Sequence, residues 1–225
     1  MKGLVLSLFP GADIFGQAFE MEGWCVVRGP DLILGQDIRN WKSIAGKFDG
    51  IIGGPPCQMF SDAVKGQTAS HGNLIPEFER IVKESRPTWF VMENVPAAPI
   101  IPEAQWSEVV DAWEFGSSQH RVRKFSSNLQ LELQKIPSEE RHKDPWPCIT
   151  ATEYKFSPGK TGRRRASRKV GRVMTLDEMK EGFGLPKDYD MPCLLNKYKY
   201  SVIGNRVPMI MGRAVAKAVW KAINQ

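Results

Sequence analysis

Unbroken apolar runs alternate with segments of helical spacing over the first part of the chain, and this alternation limits the fold more than any other feature. GLVLSLF, residues 3–9, is largely apolar and stops at Pro10-Gly11, the pattern of a strand buried on both faces. Phe15, Ala18, Phe19 and Glu22 then follow at helical spacing, which predicts a helix from about Ile14 to Glu22. WCVVRGPD reads as a second strand closing at Asp31, and FDGIIGGPP as a third, apolar at its centre. NLIPEFERIVKES sets Leu74, Ile75, Phe78, Ile81 and Val82 on one helical face. Pro87 stops that helix, and TWFVMENV reads as the next buried strand. Strand, helix and strand in this order argue for an α/β sheet with right-handed crossovers. In such sheets the ligand crevice lies at the C-terminal strand ends. The turn after Phe9, Asp31, Cys57 and Glu93 all fall at those ends.

Beyond about Lys124 the pattern changes. Residues 125–199 are polar, basic and broken by prolines, so they read as a separate lobe. VPMIMGRAVAKAVWKAI returns to helical spacing, with Pro208 suited to a first turn. The expected division is a catalytic and cofactor-binding domain over 1–124, a small lobe over 125–199, and a C-terminal helix, 200–225, that returns to the first domain. At 225 residues, 42% of them hydrophobic, the chain can bury an ordinary globular core. No apolar run approaches the roughly 20 residues of a membrane span. MKGLVLSLFPGADIFG is too short for a signal-peptide core and fits a first strand better. Cys25, Cys57, Cys148 and Cys193 are irregularly spaced, and His71, His120 and His142 are not grouped with them. Neither a metal centre nor a disulfide framework is expected, and a reduced, cytoplasmic setting fits.

The net charge of +6 is concentrated. KTGRRRASRKVGR, residues 160–172, holds seven basic residues and no acidic one, so the remainder of the chain is close to neutral. Such a patch suits a phosphate backbone, with Arg163, Arg164, Arg165, Arg168 and Lys169 as its contacts, or else is a solvated loop. The loop GGPPCQMFSD, residues 53–62, leaves a similar choice. Its glycines and prolines rule out a regular helix or inner strand, so Cys57 sits on a stiff, shaped loop. It is either a small residue filling a corner or a nucleophile at the mouth of a cleft.

LFPGADIFGQAFE, GGPPCQMFS, ENV, QHRVR and GNRVP, in that order, resemble the motifs of the cytosine-C5 DNA methyltransferase family. The compact form resembles members carried by bacteriophages or prophages. The resemblance runs from Leu4 to about Arg123 and again from about Val173 to the C-terminus, and RVMTLDEMKEGFGLP is similar to the family's ninth motif. It implies a Rossmann-like methyltransferase sheet with a small, irregular target-recognition lobe. It implies a DNA (cytosine-5-)-methyltransferase, expected as a monomer in the cytoplasm of a prokaryotic or phage-infected cell. Double-stranded DNA is the implied partner, with no membrane and no metal, in the setting of restriction and modification.

Cytosine C5 becomes nucleophilic only after a thiolate adds at C6, and the resemblance assigns that thiolate to Cys57. It assigns Glu93 to an acid near N3, which has to carry a proton in order to donate and which burial would favour in that state. Arg121 and Arg123 match the family's paired arginines, Arg123 on the O2 side of the base and Arg121 in the supporting network. The target carbon is inaccessible in a duplex, so the base is expected to flip out. Gln58, Phe60 and Ser61 would then close over DNA, Ser61 near a phosphate.

The implied methyl donor is S-adenosylmethionine. The turn Phe9-Pro10-Gly11 would let backbone approach its amino-acid end. Asp31 would accept from ribose hydroxyls, Asp37 and Ile38 would read the adenine, and Pro55, Asn205 and Val207 would line the same pocket. Asp13 and Ile14 stand where the family's first motif usually has two more glycines. Only about 50 residues separate QHRVR from RVMTLDEM, which implies a short or loosely read site, or help from another chain. Two other readings use the same residues: a transfer-RNA cytosine-C5 methyltransferase, and a catalytically silent DNA-binding subunit of the same fold.

Overall fold

The computed structural model describes residues 1–56, 72–157, 166–192 and 194–225. Among these, six strands form one sheet: β1 (Leu4–Leu8), β2 (Cys25–Arg28), β3 (Gly50–Gly53), β4 (Trp89–Asn94), β5 (Trp106–Asp111) and β6 (Val122–Ser127). Their order across the sheet is β2-β1-β3-β4-β6-β5. The pairs β1–β2, β1–β3 and β3–β4 are parallel, and β4–β6 is antiparallel. This is the expected α/β class. The chain steps from β1 outward to β2 and then returns to the other side of β1 as β3. That reversal is a topological switch point, where open sheets of this kind place their ligand crevice.

The central strands are buried because both faces are covered. Val5, Leu6, Ile51, Ile52 and Val91 have no exposed surface. Each such aliphatic side chain stabilises the fold by about 1.5–3 kcal/mol. Helix α1 (Ile14–Met21) starts at Asp13, which has left-handed backbone and accepts a hydrogen bond from Gly16 N. A Cβ on Gly16 would lie 2.2 Å from an Asp13 carboxylate oxygen, so this cap requires glycine there. Helix α2 (Ile75–Ser85) has Pro76 in its first turn and ends at Arg86 in left-handed conformation, just before Pro87.

The helical remainder comprises α3 (Ala166–Val170), α4 (Leu176–Phe183), α5 (Asn196–Gly204) and α6 (Met209–Ile223). Helix α4 opens with a capping box between Thr175 and Glu178 and closes on left-handed Gly184. Arg172 grips Glu178 at 2.7 and 2.9 Å and, with the Thr175 bonds, holds its carboxyl down at about 2 from an ordinary 4.5. No helix among the described residues is long and apolar enough to cross a membrane.

The chain divides into two compact units that interleave in sequence. The first takes residues 1–110, 122–133 and 212–225, and the second takes 111–121 and 134–211. The sheet therefore continues past Lys124, where the sequence reads as leaving it. Ser126 and Ser127 are buried in β6, and Ser127 Oγ donates to Phe90 O at 2.6 Å, so polar residues fill a core position. Residues 200–211, expected beside the C-terminal helix, fall in the second unit. That unit is pinned by buried polar side chains. Gln119 donates to Gly182 O at 2.7 Å and accepts from Ile149 N at 3.1 Å. Glu153 accepts from Thr150 N, Thr150 Oγ1 and Ser167 N.

Candidate active site

Parallel pairing brings the C-terminal ends of β2, β1, β3 and β4 to one edge in that order. Asp31 follows β2, the Phe9–Gly11 turn follows β1, Gly54-Pro55 follows β3, and Glu93-Asn94 ends β4. Asp31 ties the first two together. Its Oδ2 accepts from Gly11 N at 2.9 Å and its Oδ1 from Ile33 N at 2.8 Å. The turn itself has φ of +55° at Phe9, +52° at Gly11 and +51° at Asp13. For Phe9 and Asp13 such backbone costs about 1 kcal/mol or more each, and cost of this kind gathers at functional loops.

Asp13 is buried at the foot of this turn. Its Oδ1 accepts from Ser7 Oγ at 2.7 Å and from Gly16 N at 3.1 Å. Arg28 Nε lies 2.9 Å from its Oδ2, while the same guanidinium holds Glu20 at 2.7 and 2.8 Å. Burial outweighs these partners and pushes the Asp13 carboxyl upward. Further along, Asp37 caps the short turn Ile38–Asn40 and accepts from Arg39 N at 3.0 Å and from the Arg39 side chain. Ile38 is buried in one apolar cluster with Leu8, Phe9 and Phe78.

Glu93 meets Arg123 because β6 runs antiparallel to β4. Glu93 is in register with Phe125, so Arg123, two residues earlier, lies beyond the end of β4. Arg123 Nε is 2.8 Å from Glu93 Oε1, and both side chains are largely buried. Gly54 packs under this carboxylate: a Cβ there would fall 2.7 Å from Glu93 Oε2. The neighbouring Asn94 Nδ2 donates to Pro55 O at 3.2 Å, while its own Oδ1 accepts from Val95 N at 2.9 Å. The end of β4 thus fixes both the acid and the stem of the loop that continues to Cys57.

Arg121 goes elsewhere. It is buried in the second unit, where it donates to Ile149 O and Gly204 O at 3.1 Å and lies over the Phe183 ring. It ties the QHRVR and GN segments together, a bracing role. Asn205 is exposed and Val207 buried, both in the second unit. Lys169 donates to Asp144 O and Pro145 O and pairs with Asp144 at 2.6 Å. Arg168 stands beside it on α3. Cys57, Gln58, Ser61, Arg163, Arg164 and Arg165 lie outside the described residues. Among the described residues, no cluster of histidine, cysteine and carboxylate side chains could hold a metal ion.

Residues 33–98 match the family C-5 cytosine-specific DNA methylase. Over that stretch the chain is similar to this family. The chain is 29% identical over 163 residues to the Type II methyltransferase M.FnuDI of Fusobacterium nucleatum, a match covering 57% of this chain and 47% of that one. It is 34% identical over 112 residues to M.NgoPII of Neisseria gonorrhoeae, covering 40% and 33%. Its matches thus span about half the length of the first of these relatives and a third of the second. The fold is that of Entamoeba histolytica methyltransferase EhMeth, with a TM-score of 0.69 at 14% identity over 99% of both chains.

Two residues of the site carry signals that motif reading passes over. Asn94 lies inside the ENV triplet, yet only the fold shows that it reaches back to Pro55. Gly54 reads as a loop-forming glycine, but its conformation is ordinary and its requirement comes from the Glu93 carboxylate above it.

Proposed function

We propose that this protein adds the Cys57 thiolate to C6 of a cytosine flipped out of DNA and passes a methyl group to C5. The observation that carries this reading is the Glu93–Arg123 pair seated on Gly54-Pro55, the stem that leads to Cys57. A carboxyl and a guanidinium side by side offer one group for N3 and one for O2 of the same ring edge. Addition at C6 pushes electron density to C5 and charge toward N3, where Glu93 would deliver its proton. After the methyl group arrives, C5 gives up its proton to a base or to water, N3 returns its proton to Glu93, and the C6–S bond breaks to restore the thiolate.

S-adenosylmethionine, when bound, supplies the electrophilic methyl group. The residues fit it. Each Asp31 oxygen accepts one backbone N–H and keeps a lone pair for a ribose hydroxyl. Gly11, at φ +52°, opens the turn to close backbone approach. Asp37 and Ile38 are held on one turn suited to an adenine edge. The second unit, with its basic segment, would serve as the target-recognition lobe, and Arg121 would brace it from within.

The test is covalent trapping on duplex DNA carrying 5-fluorocytosine, with S-adenosylmethionine present. Fluorine at C5 cannot leave as a proton, so a working enzyme stays joined to its substrate. A denaturation-stable adduct that disappears in Cys57→Ala supports the reading. An adduct on fluorinated transfer RNA alone would move the substrate to RNA, and no adduct on either would leave a silent binding subunit.

A further inference from the structure

Arg80 belongs to none of the motifs above, yet its guanidinium makes four polar contacts within the first unit. On its own helix α2, Nε pairs with Glu77 at 2.8 Å and Nη1 with Glu84 at 2.6 Å. Its remaining nitrogen, Nη2, donates to Ile38 O at 2.7 Å and to Trp41 O at 3.0 Å. Those carbonyls belong to the short turn that begins at Asp37 and buries Ile38. Glu84 adds a second tie, since its Oε2 accepts from Ser43 N at 3.1 Å. Ser85 Oγ bonds Ser43 Oγ as well.

The energetics argue that this is more than a surface ion pair. An exposed Arg–Glu pair along a helix contributes little and would not need a specific fork. Here the two carboxylates orient the fork so that its free edge meets two carbonyls from a segment about forty residues away in sequence. Hydrogen bonds from a charged donor to such carbonyls are stronger than those from a neutral one. A turn of three residues has little stability of its own. Its position against the sheet therefore depends on what holds its carbonyls.

We propose that Arg80 is a positioning residue for the cofactor's adenine, acting through the carbonyls of Ile38 and Trp41 on the turn that presents Asp37 and Ile38. The inference rests on the reading of that turn as the adenine site. It separates cofactor affinity from everything at the base: loosening the turn leaves Glu93, Arg123 and the Cys57 stem where they are.

The test compares wild type, Arg80→Met, Arg80→Lys and Glu77→Gln in the full chain. S-adenosylhomocysteine affinity is measured by calorimetry, alongside separate KM values for S-adenosylmethionine and DNA and kcat at saturation. Arg80→Met should weaken S-adenosylhomocysteine binding by about tenfold or more, the equivalent of one charged hydrogen bond. The cofactor KM should rise with it, while the DNA KM and saturated kcat stay within about threefold, a smaller effect than one such bond. Glu77→Gln keeps the carbonyl contacts and should bind like wild type. Should Arg80→Met not fold, Arg80→Lys carries the test, because one ammonium cannot serve two carboxylates and two carbonyls at once. Affinity within twofold of wild type in the Arg80 variants, or equal losses for cofactor and DNA, overturns the proposal. Wild type failing to bind S-adenosylhomocysteine overturns the adenine-site reading itself and the proposal with it.

Discussion

Arg123 Nε lies 2.8 Å from Glu93 Oε1, and the two side chains come together only because an antiparallel strand is laid against the end of a parallel one. Removing either partner has different consequences. Glu93→Gln keeps the shape and a donor to the base but cannot transfer a proton, so methyl transfer should fall by about a hundredfold or more with little change in melting temperature. Arg123→Met strands a largely buried carboxylate and should cost about 3 kcal/mol of stability as well as activity. Methylation rates and thermal unfolding of both variants check this, and equal stability losses would contradict it.

Gly54→Ala tests how tightly the acid is seated. The new methyl group would lie 2.7 Å from Glu93 Oε2, closer than real contacts allow, so the flexible carboxylate end must swing aside. Turnover should drop while the fold holds. Gly50→Ala makes the useful contrast, since its methyl group would meet the Trp89 ring at 2.1 Å inside the core. That variant should lose about 1–3 kcal/mol by overpacking. A Gly54→Ala enzyme with full activity would show that the Glu93 position is not critical.

Asp13 should make stability depend on pH. Burial raises its folded carboxyl above the ordinary 3.8, so the folded state disfavours the charge that the unfolded chain takes up readily. The penalty is absent below pH 3.8, grows as pH rises from there to the folded value, and is constant above it. Asp13→Asn keeps an oxygen for Ser7 and Gly16 without the charge. Its melting temperature relative to wild type should therefore climb with pH above 3.8 and then level off, and parallel curves would refute the assignment.

Glu178 has the opposite sign. Its carboxyl sits at about 2 in the folded state against an ordinary 4.5, chiefly through Arg172. The stabilisation is fully present above pH 4.5 and is lost as pH falls toward 2. Arg172→Gln should lie below wild type in melting temperature at pH 7, and the gap should close on acidification. A gap that stays constant down to pH 2.5, near the folded value of about 2, would point to packing of the Arg172 stem instead.

The sequence by itself determined the parallel half of the sheet. Runs such as GLVLSL and WFVMEN, buried on both faces, cannot be satisfied in other ways, and Pro10-Gly11, Pro55 and Pro87 mark where they stop or resume. It placed Asp31, the Phe9–Gly11 turn, Gly54 and Glu93 at the strand ends for the same reason, since residues beyond a parallel strand gather on one edge. What it could not show was β5 and β6. Their alternation is broken by Glu108, Arg123 and the buried Ser126-Ser127 pair, whose hydrogen bonds exist only once Phe90 is alongside. Hence the QHRVR segment reads as two equivalent arginines. Tertiary structure separates them: Arg123 lies beside Glu93 in one unit, while Arg121 is buried against Ile149 and Gly204 carbonyls in the other. A guanidinium's role depends on which acceptors lie within 3 Å or so, and long-range pairing alone decides which acceptors those are.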